Sequence, residues 1–169
     1  MYHRSNNSRG GAYIGLIGGR RPFARAEISG SIEYPSIKGG VDFYATPVGI
    51  VVCAEVSGLP YEPDKKCASQ IYGLHIHNVG RCTGSSDDPF GDAGEHFDKS
   101  GCAHPNDSGD LPPLFGNHGY AWCAVLTDRF SSEDVIGRSV IVHLDGDCFK
   151  EDVEASMGKR IACGIIMST

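Results

Sequence analysis

Residues 41–58 read VDFYATPVGIVVCAEVSG, and they decide the fold class. Two β-branched and aromatic segments, 41–46 and 49–56, flank Pro47-Val48 and end at Ser57-Gly58. That is the pattern of short strands with turn chemistry between them. Working outward, residues 23–34 set Ala24, Ala26 and Ile28 on one face, and 71–77, 120–127, 139–143 and 160–167 read as further strands. No segment of eleven or more residues carries a 3.6-residue apolar stripe; residues 131–136 suit a single helical turn. Twenty-three glycines and nine prolines are scattered through the 169 residues, so the prediction is an all-β sandwich or barrel of short strands.

The length predicts one domain over residues 23–169, preceded by a flexible, glycine- and arginine-rich arm at 1–22. Net charge is −6, and there is no basic cluster beyond Arg20-Arg21 and Lys65-Lys66, which argues against nucleic acid as a partner. A small anion remains compatible, because the field in a cleft can oppose the net charge. No apolar run approaches the roughly 20 residues that cross a bilayer, so no membrane partner is expected. The first residues lack an unbroken apolar stretch before a small-residue cleavage site; the expected location is cytoplasmic, with a secreted or periplasmic form left open. Seven cysteines, an odd number, leave at least one thiol free.

Residues 78–117 fit the strand pattern poorly. Some 40 residues rich in Gly, Asp, Ser, Pro and Cys make a loop whose length calls for a function or a staple. Histidines gather at and within it. His75 and His77 are i and i+2 on a strand, so both imidazoles face one side. By themselves they are either a metal pair or two solvent-facing side chains. His96 and His104 in the loop and His143 at a strand end favour the metal pair. His3, in the arm, and His118, in the turn Gly116-Asn-His-Gly119, are expected to have no functional part.

These residues carry a resemblance. GLHIH (73–77), AGEHFD (93–98), His104-Pro105 followed by GDLPPL (109–114), IGRSVIVH (136–143) with the DGD after it, and RIACGII (160–166) occur in order over most of the chain. Together they resemble the copper/zinc superoxide dismutase family, and GDLPPL with the cysteine soon after HIH is similar to its bacterial branch. The resemblance implies an eight-stranded Greek-key β-barrel with two long functional loops, and an oxidoreductase that converts superoxide to oxygen and hydrogen peroxide. It implies His75, His77, His96 and His143 as copper ligands, with His96 bridging to a zinc held by His104 and Asp110. Arg160 matches the arginine that orients the anionic substrate, and Asp147 the carboxylate that links ligands of both metals. Cys82 and Cys163 match the intrachain disulfide. A homodimer is the habit of some branches and is carried as an expectation. The donor chemistry agrees: imidazole suits both metals, and a guanidinium, always charged, suits docking of a small oxyanion.

The chain departs from the family at Asp107, where a further zinc histidine is usual. Three outcomes stand open: a His96, His104, Asp107, Asp110 site; a site in which water replaces Asp107; or weak zinc in an enzyme that works on copper. Asn106-Asp107-Ser108 is also ordinary turn composition. The segment 144–159 corresponds to the family's substrate-guiding loop, yet its acids outnumber its two cations, Lys150 and Lys159, so weaker steering is expected. Cys53 and Cys123 read as buried core thiols, Cys148 as exposed, and Cys67 and Cys102 as candidates for a second bridge whose pairing sequence does not fix. The competing functional reading is a metal-binding protein on the same scaffold with little turnover, for which Arg160 would have no use.

Overall fold

A computed structural model describes residues 17–65, 68–102, 104–146 and 158–169. Most of the expected arm, Cys67, Asp147, Cys148 and Lys150 lie outside the described residues. The opening stretch forms a hairpin of β2 (Lys38–Thr46) and β3 (Gly49–Ser57), closed by the two residues Pro47 and Val48. Thr46 Oγ1 accepts the Val48 N–H at 3.2 Å and donates to the Gly49 carbonyl at 2.8 Å, which fixes the register. Val41 and Phe43 of β2 lie opposite Ala54 and Val52 of β3, and all four are fully buried. Alternation therefore sends one face of the hairpin to the core.

The remaining strands are β1 (Ala24–Gly30), β4 (Ile71–Tyr72), β5 (Leu74–His77), β6 (Leu114–Phe115), β7 (Tyr120–Thr127), β8 (Ser139–His143) and β9 (Arg160–Ser168). Seven make one antiparallel sheet in the order β5-β8-β9-β1-β2-β3-β7, and β4 pairs with β6 in a separate ladder. Ile76 of β5 and Ala121 of β7, from opposite ends of that order, share one core with Ile28, Val52, Val140 and Ile166. The sheet must curl to bring its ends together. The all-β architecture is the expected one; where eight barrel strands were anticipated, the described residues form seven in one sheet and a two-residue ladder. Gly73 separates β4 from β5, and Pro112-Pro113, lacking N–H donors, precede β6, which keeps that ladder short. The helical turn is Ser132–Val135 (α1), opened by a capping box between Ser131 and Asp134. Among the described residues no helix is long and apolar enough to cross a membrane.

Two features aim side chains toward one place. The β8–β9 register shifts at its end: Val142 pairs with Ala162, but His143 pairs with Arg160. The extra residue on β9, Ile161, turns into the core beside Ala162. Such a bulge re-aims the residues beyond it, and here it sets His143 opposite Arg160. The second feature is a disulfide. Cys82 and Cys163, with Cα atoms 5.6 Å apart, tie the long loop to β9 across 81 residues of sequence. Phe90, Ala93 and Ile141 pack around it as a small second core.

Candidate metal centre

β5 is an edge strand, yet all four of its residues are buried. Leu74 and Ile76 enter the core, while His75 and His77 point to the opposite face, as i, i+2 geometry requires. The long loop covers both this face and the open edge. Phe97 N–H donates to the Ile76 carbonyl at 2.8 Å, Ile76 N–H to Gly109 at 2.9 Å, and Leu111 N–H to Leu74 at 3.3 Å. Loop residues 95–97 and 109–111 thus continue the ladder that the edge leaves open, satisfying its backbone groups. The resulting bridges set His96 beside His77 and Asp110 beside His75.

The side chains converge in two overlapping groups. Donor atoms of His75, His77, His96 and His143 lie within 4.8 Å of one another, all four residues being buried. A second such group is His75, His96, His104 and Asp110. His96 and His75 belong to both, with ring centroids 4.0 Å apart. His77 Nδ1 donates to the Gly94 carbonyl at 2.8 Å, and His143 Nδ1 to the Gly158 carbonyl at 3.3 Å. A carbonyl only accepts, so each Nδ1 carries the hydrogen and each Nε2 presents a lone pair. Those Nε2 atoms stand 3.3 Å apart. Burial pushes His77 down to about 2 and, helped by the charge of His75, holds His143 well below the ordinary imidazole range. Two neutral nitrogens that face each other with lone pairs repel unless a cation lies against both. The group is therefore fit for a metal ion by its own chemistry.

The other side is built from carboxylates. Asp110 Oδ1 lies 3.0 Å from His96 Nδ1 and 3.1 Å from His104 Nδ1, while its Oδ2 accepts the Asp107 N–H at 2.9 Å. Burial raises the Asp110 carboxyl, but its bond to His96 and the charges of His96, His75 and His104 outweigh this and leave it below the usual range. Asp107 is buried, its Oδ2 3.4 Å from His96 Nδ1, and it is not one of the four donors gathered within 4.8 Å. Burial and the charge of Asp110 raise its carboxyl. With Nδ1 turned to the carboxylates, His96 Nε2 faces away from them, buried and without a hydrogen-bond partner among the described residues. A donor set of two imidazoles and two carboxylates suits zinc.

Arg160 stands beside the histidines, held by backbone. Its Nη1 donates to Phe90 at 2.9 Å and its Nη2 to Gly94 at 3.0 Å. The Gly94 carbonyl thus takes both Arg160 and His77. Gly94 has φ of 73°, which a side chain would strain, so glycine is what lets the chain turn that carbonyl inward.

Sequence-predicted residues His75, His77, His96, His143, His104, Asp110 and Arg160 are brought together, with Asp107 at the margin, and Asp147 lies outside the described residues. His118 sits apart, exposed with φ of 53°, stacked on Tyr61. Cys123 packs half-buried against the core, but Cys53 is half-buried on the outward face between Asp42 and Glu55, because Val52 and Ala54 take the inward positions. Cys102 is an exposed free thiol. Sequence reasoning missed Arg129, whose Nη1 donates to the Asp107 carbonyl at 3.2 Å and approaches that of Asp110 at 3.5 Å. It also missed the Phe90 and Gly94 carbonyls. These are contacts across folded distance, and no local motif announces them.

Comparison with known proteins gives a concordant picture. The family profile of copper/zinc superoxide dismutase matches residues 37–166. The chain is 30% identical over 167 residues to a Cu-Zn superoxide dismutase of Deinococcus radiodurans, covering 88% of this chain and 86% of that one. It is likewise 30% identical over 142 residues to the enzyme of Photobacterium leiognathi, covering 76% and 78%. Among solved structures, the Cu/Zn superoxide dismutase of Brucella abortus superposes with a TM-score of 0.66 at 25% identity, over 84% of this chain and 98% of the other.

Proposed function

The chain belongs to the copper/zinc superoxide dismutase family, and from that premise we infer that its buried histidines and Arg160 serve the dismutation of superoxide. Two superoxide anions and two protons give one oxygen and one hydrogen peroxide. Copper supplies one-electron redox chemistry when bound, and zinc adds fixed charge without redox change.

His75, His77, His96 and His143 would hold copper, and His96, His104, Asp107 and Asp110 zinc. The observation that carries this reading is the lone-pair confrontation of His77 and His143, within a group that His96 shares with the carboxylate side. Arg160 docks the anion: its guanidinium plane is fixed by two carbonyls, so the group is oriented before the anion arrives. His96 moves the proton. Its Nδ1 stays turned to Asp110, which leaves the buried Nε2 as the atom that can hold a proton and hand it to the product. Burial of the cluster excludes water from the remaining imidazoles and keeps their tautomers fixed. Asp147 is assigned the link between ligands of the two metals by family likeness. A homodimer is carried on the same ground, and sedimentation velocity on the pure chain decides it, a monomer throughout removing it.

The test is metal analysis with a superoxide-decay assay on protein loaded with copper alone and with copper plus zinc. Rapid decay in the doubly loaded form is expected. Full copper occupancy with no decay in either form would instead favour a metal-binding protein without turnover.

A further inference from the structure

The loop that carries the disulfide also carries an acid aimed at Arg160. Ser85 Oγ accepts the Asp88 N–H at 3.1 Å, and the Asp88 carbonyl accepts the Gly91 N–H at 3.1 Å, so residues 85–91 are tightly turned. The Asp88 carboxylate folds back over Gly91: a β-carbon there would stand 2.7 Å from Asp88 Oδ2, closer than real contacts allow. The same Oδ2 lies 3.8 Å from Arg160 Nη1. That is too long for a hydrogen bond but close for a charge pair. Arg160 is largely buried, with 17% of its side chain exposed, whereas 53% of the Asp88 side chain is exposed. The acid therefore lies on the solvent side of the guanidinium. Next in the chain, Lys159 is paired with Glu33 and also feels the charge of Asp87. Among the described residues, both cations at the head of β9 are matched by acids, Lys159 closely and Arg160 loosely.

We propose that Asp88 is a tethered counter-anion to Arg160, a positioning residue that competes with incoming anions and discriminates against multivalent oxyanions. The inference rests on the reading of Arg160 as the anion-docking group. A loose pair leaves the guanidinium available to a small monovalent anion, which meets one unit of repulsion from Asp88. A phosphate dianion meets about twice as much, because the interaction scales with charge. The acid thus lowers affinity for every anion and does so most for those that would block the site. More than half of the Asp88 side chain is open to solvent, so the carboxylate does not serve to fill a core.

The experiment uses the copper- and zinc-loaded protein. Azide binding is read from the copper(II) absorption spectrum, and inorganic phosphate is titrated as competitor at fixed ionic strength. Asp88→Asn is expected to tighten azide about fivefold and phosphate by a larger factor. Asp88→Glu, which keeps the charge, should stay within about twofold of the wild type. Unchanged azide and phosphate binding in Asp88→Asn, with metal content and disulfide intact, overturns the inference alone. So does equal tightening in Asp87→Asn, which would mean general loop charge. A wild-type protein that takes copper but neither binds azide nor consumes superoxide overturns the functional reading and this inference together.

Discussion

The two halves of the metal centre are built by different means. On one side His75, His77 and His143 come from β5 and β8, each fixed by strand alternation and a ladder register. On the other, His104, Asp107 and Asp110 come from seven consecutive loop residues, and they lean on one another: Asp110 receives His96, His104 and the Asp107 backbone. Strands hold their donors whether or not those donors interact. The loop anchors its end at residues 109–111 on β5, but sets His104 and Asp107 largely through Asp110, with further ties from Arg129 and from Ser108, whose Oγ accepts the Lys99 N–H at 3.1 Å. The strand-borne half is predicted to tolerate loss of its partner, and the loop-borne half to depend on every member. His96 joins the two.

That contrast can be broken most directly at His77. His77→Ala is expected to abolish copper retention and dismutation while zinc content holds, measured by elemental analysis after dialysis; loss of both metals would make the halves one inseparable site. The next largest effect is expected from Cys82→Ser, which frees the loop from β9. Denaturant unfolding should show a loss of about 3 kcal/mol, the scale typical of native bridges. If the loss is confined to local opening of the loop, hydrogen exchange at residues 82–96 will rise while the core stays protected. Smaller still is Asp107→Ala, expected to weaken zinc about tenfold, because Asp107 stands at the margin of the zinc donors, 3.4 Å from His96 Nδ1 and outside the four atoms gathered within 4.8 Å. Unchanged zinc affinity would remove Asp107 from the site. Arg129→Ala comes last, at about 1 kcal/mol of stability, by thermal unfolding of the zinc-loaded form. A change confined to the zinc-free form would assign Arg129 to the strand instead of the loop.

How legible each half was in the sequence follows from the same difference. The segments 120–127 and 139–143 match β7 and β8, because alternation and flanking turns are local signals. HxH on a strand predicts convergence for the same reason. β4 falls within the expected strand 71–77, but its partner β6 was not legible, since two residues have no period and this strand exists only through pairing of Leu114 and Phe115 with Tyr72 and Ile71. Nor was the bulge at His143, which is defined by its partner strand and not by its own residues. Asp107 stayed ambiguous because its composition suits a turn and a ligand equally, and the structure leaves it near His96 without gathering it with the others. Asp88 and Arg129 were invisible for a simpler reason: their partners are 72 and 19 residues away or more, respectively.

The Gly94 carbonyl has one more consequence. His77 and Arg160 are both measured from that single oxygen, at 2.8 and 3.0 Å. Because both donors reach one oxygen, His77 Nδ1 and Arg160 Nη2 can stand no farther apart than the two hydrogen-bond lengths together, wherever the rest of the loop lies. A loop need not be rigid to deliver a bounded separation; it needs only one reference point common to the parts that must stay close.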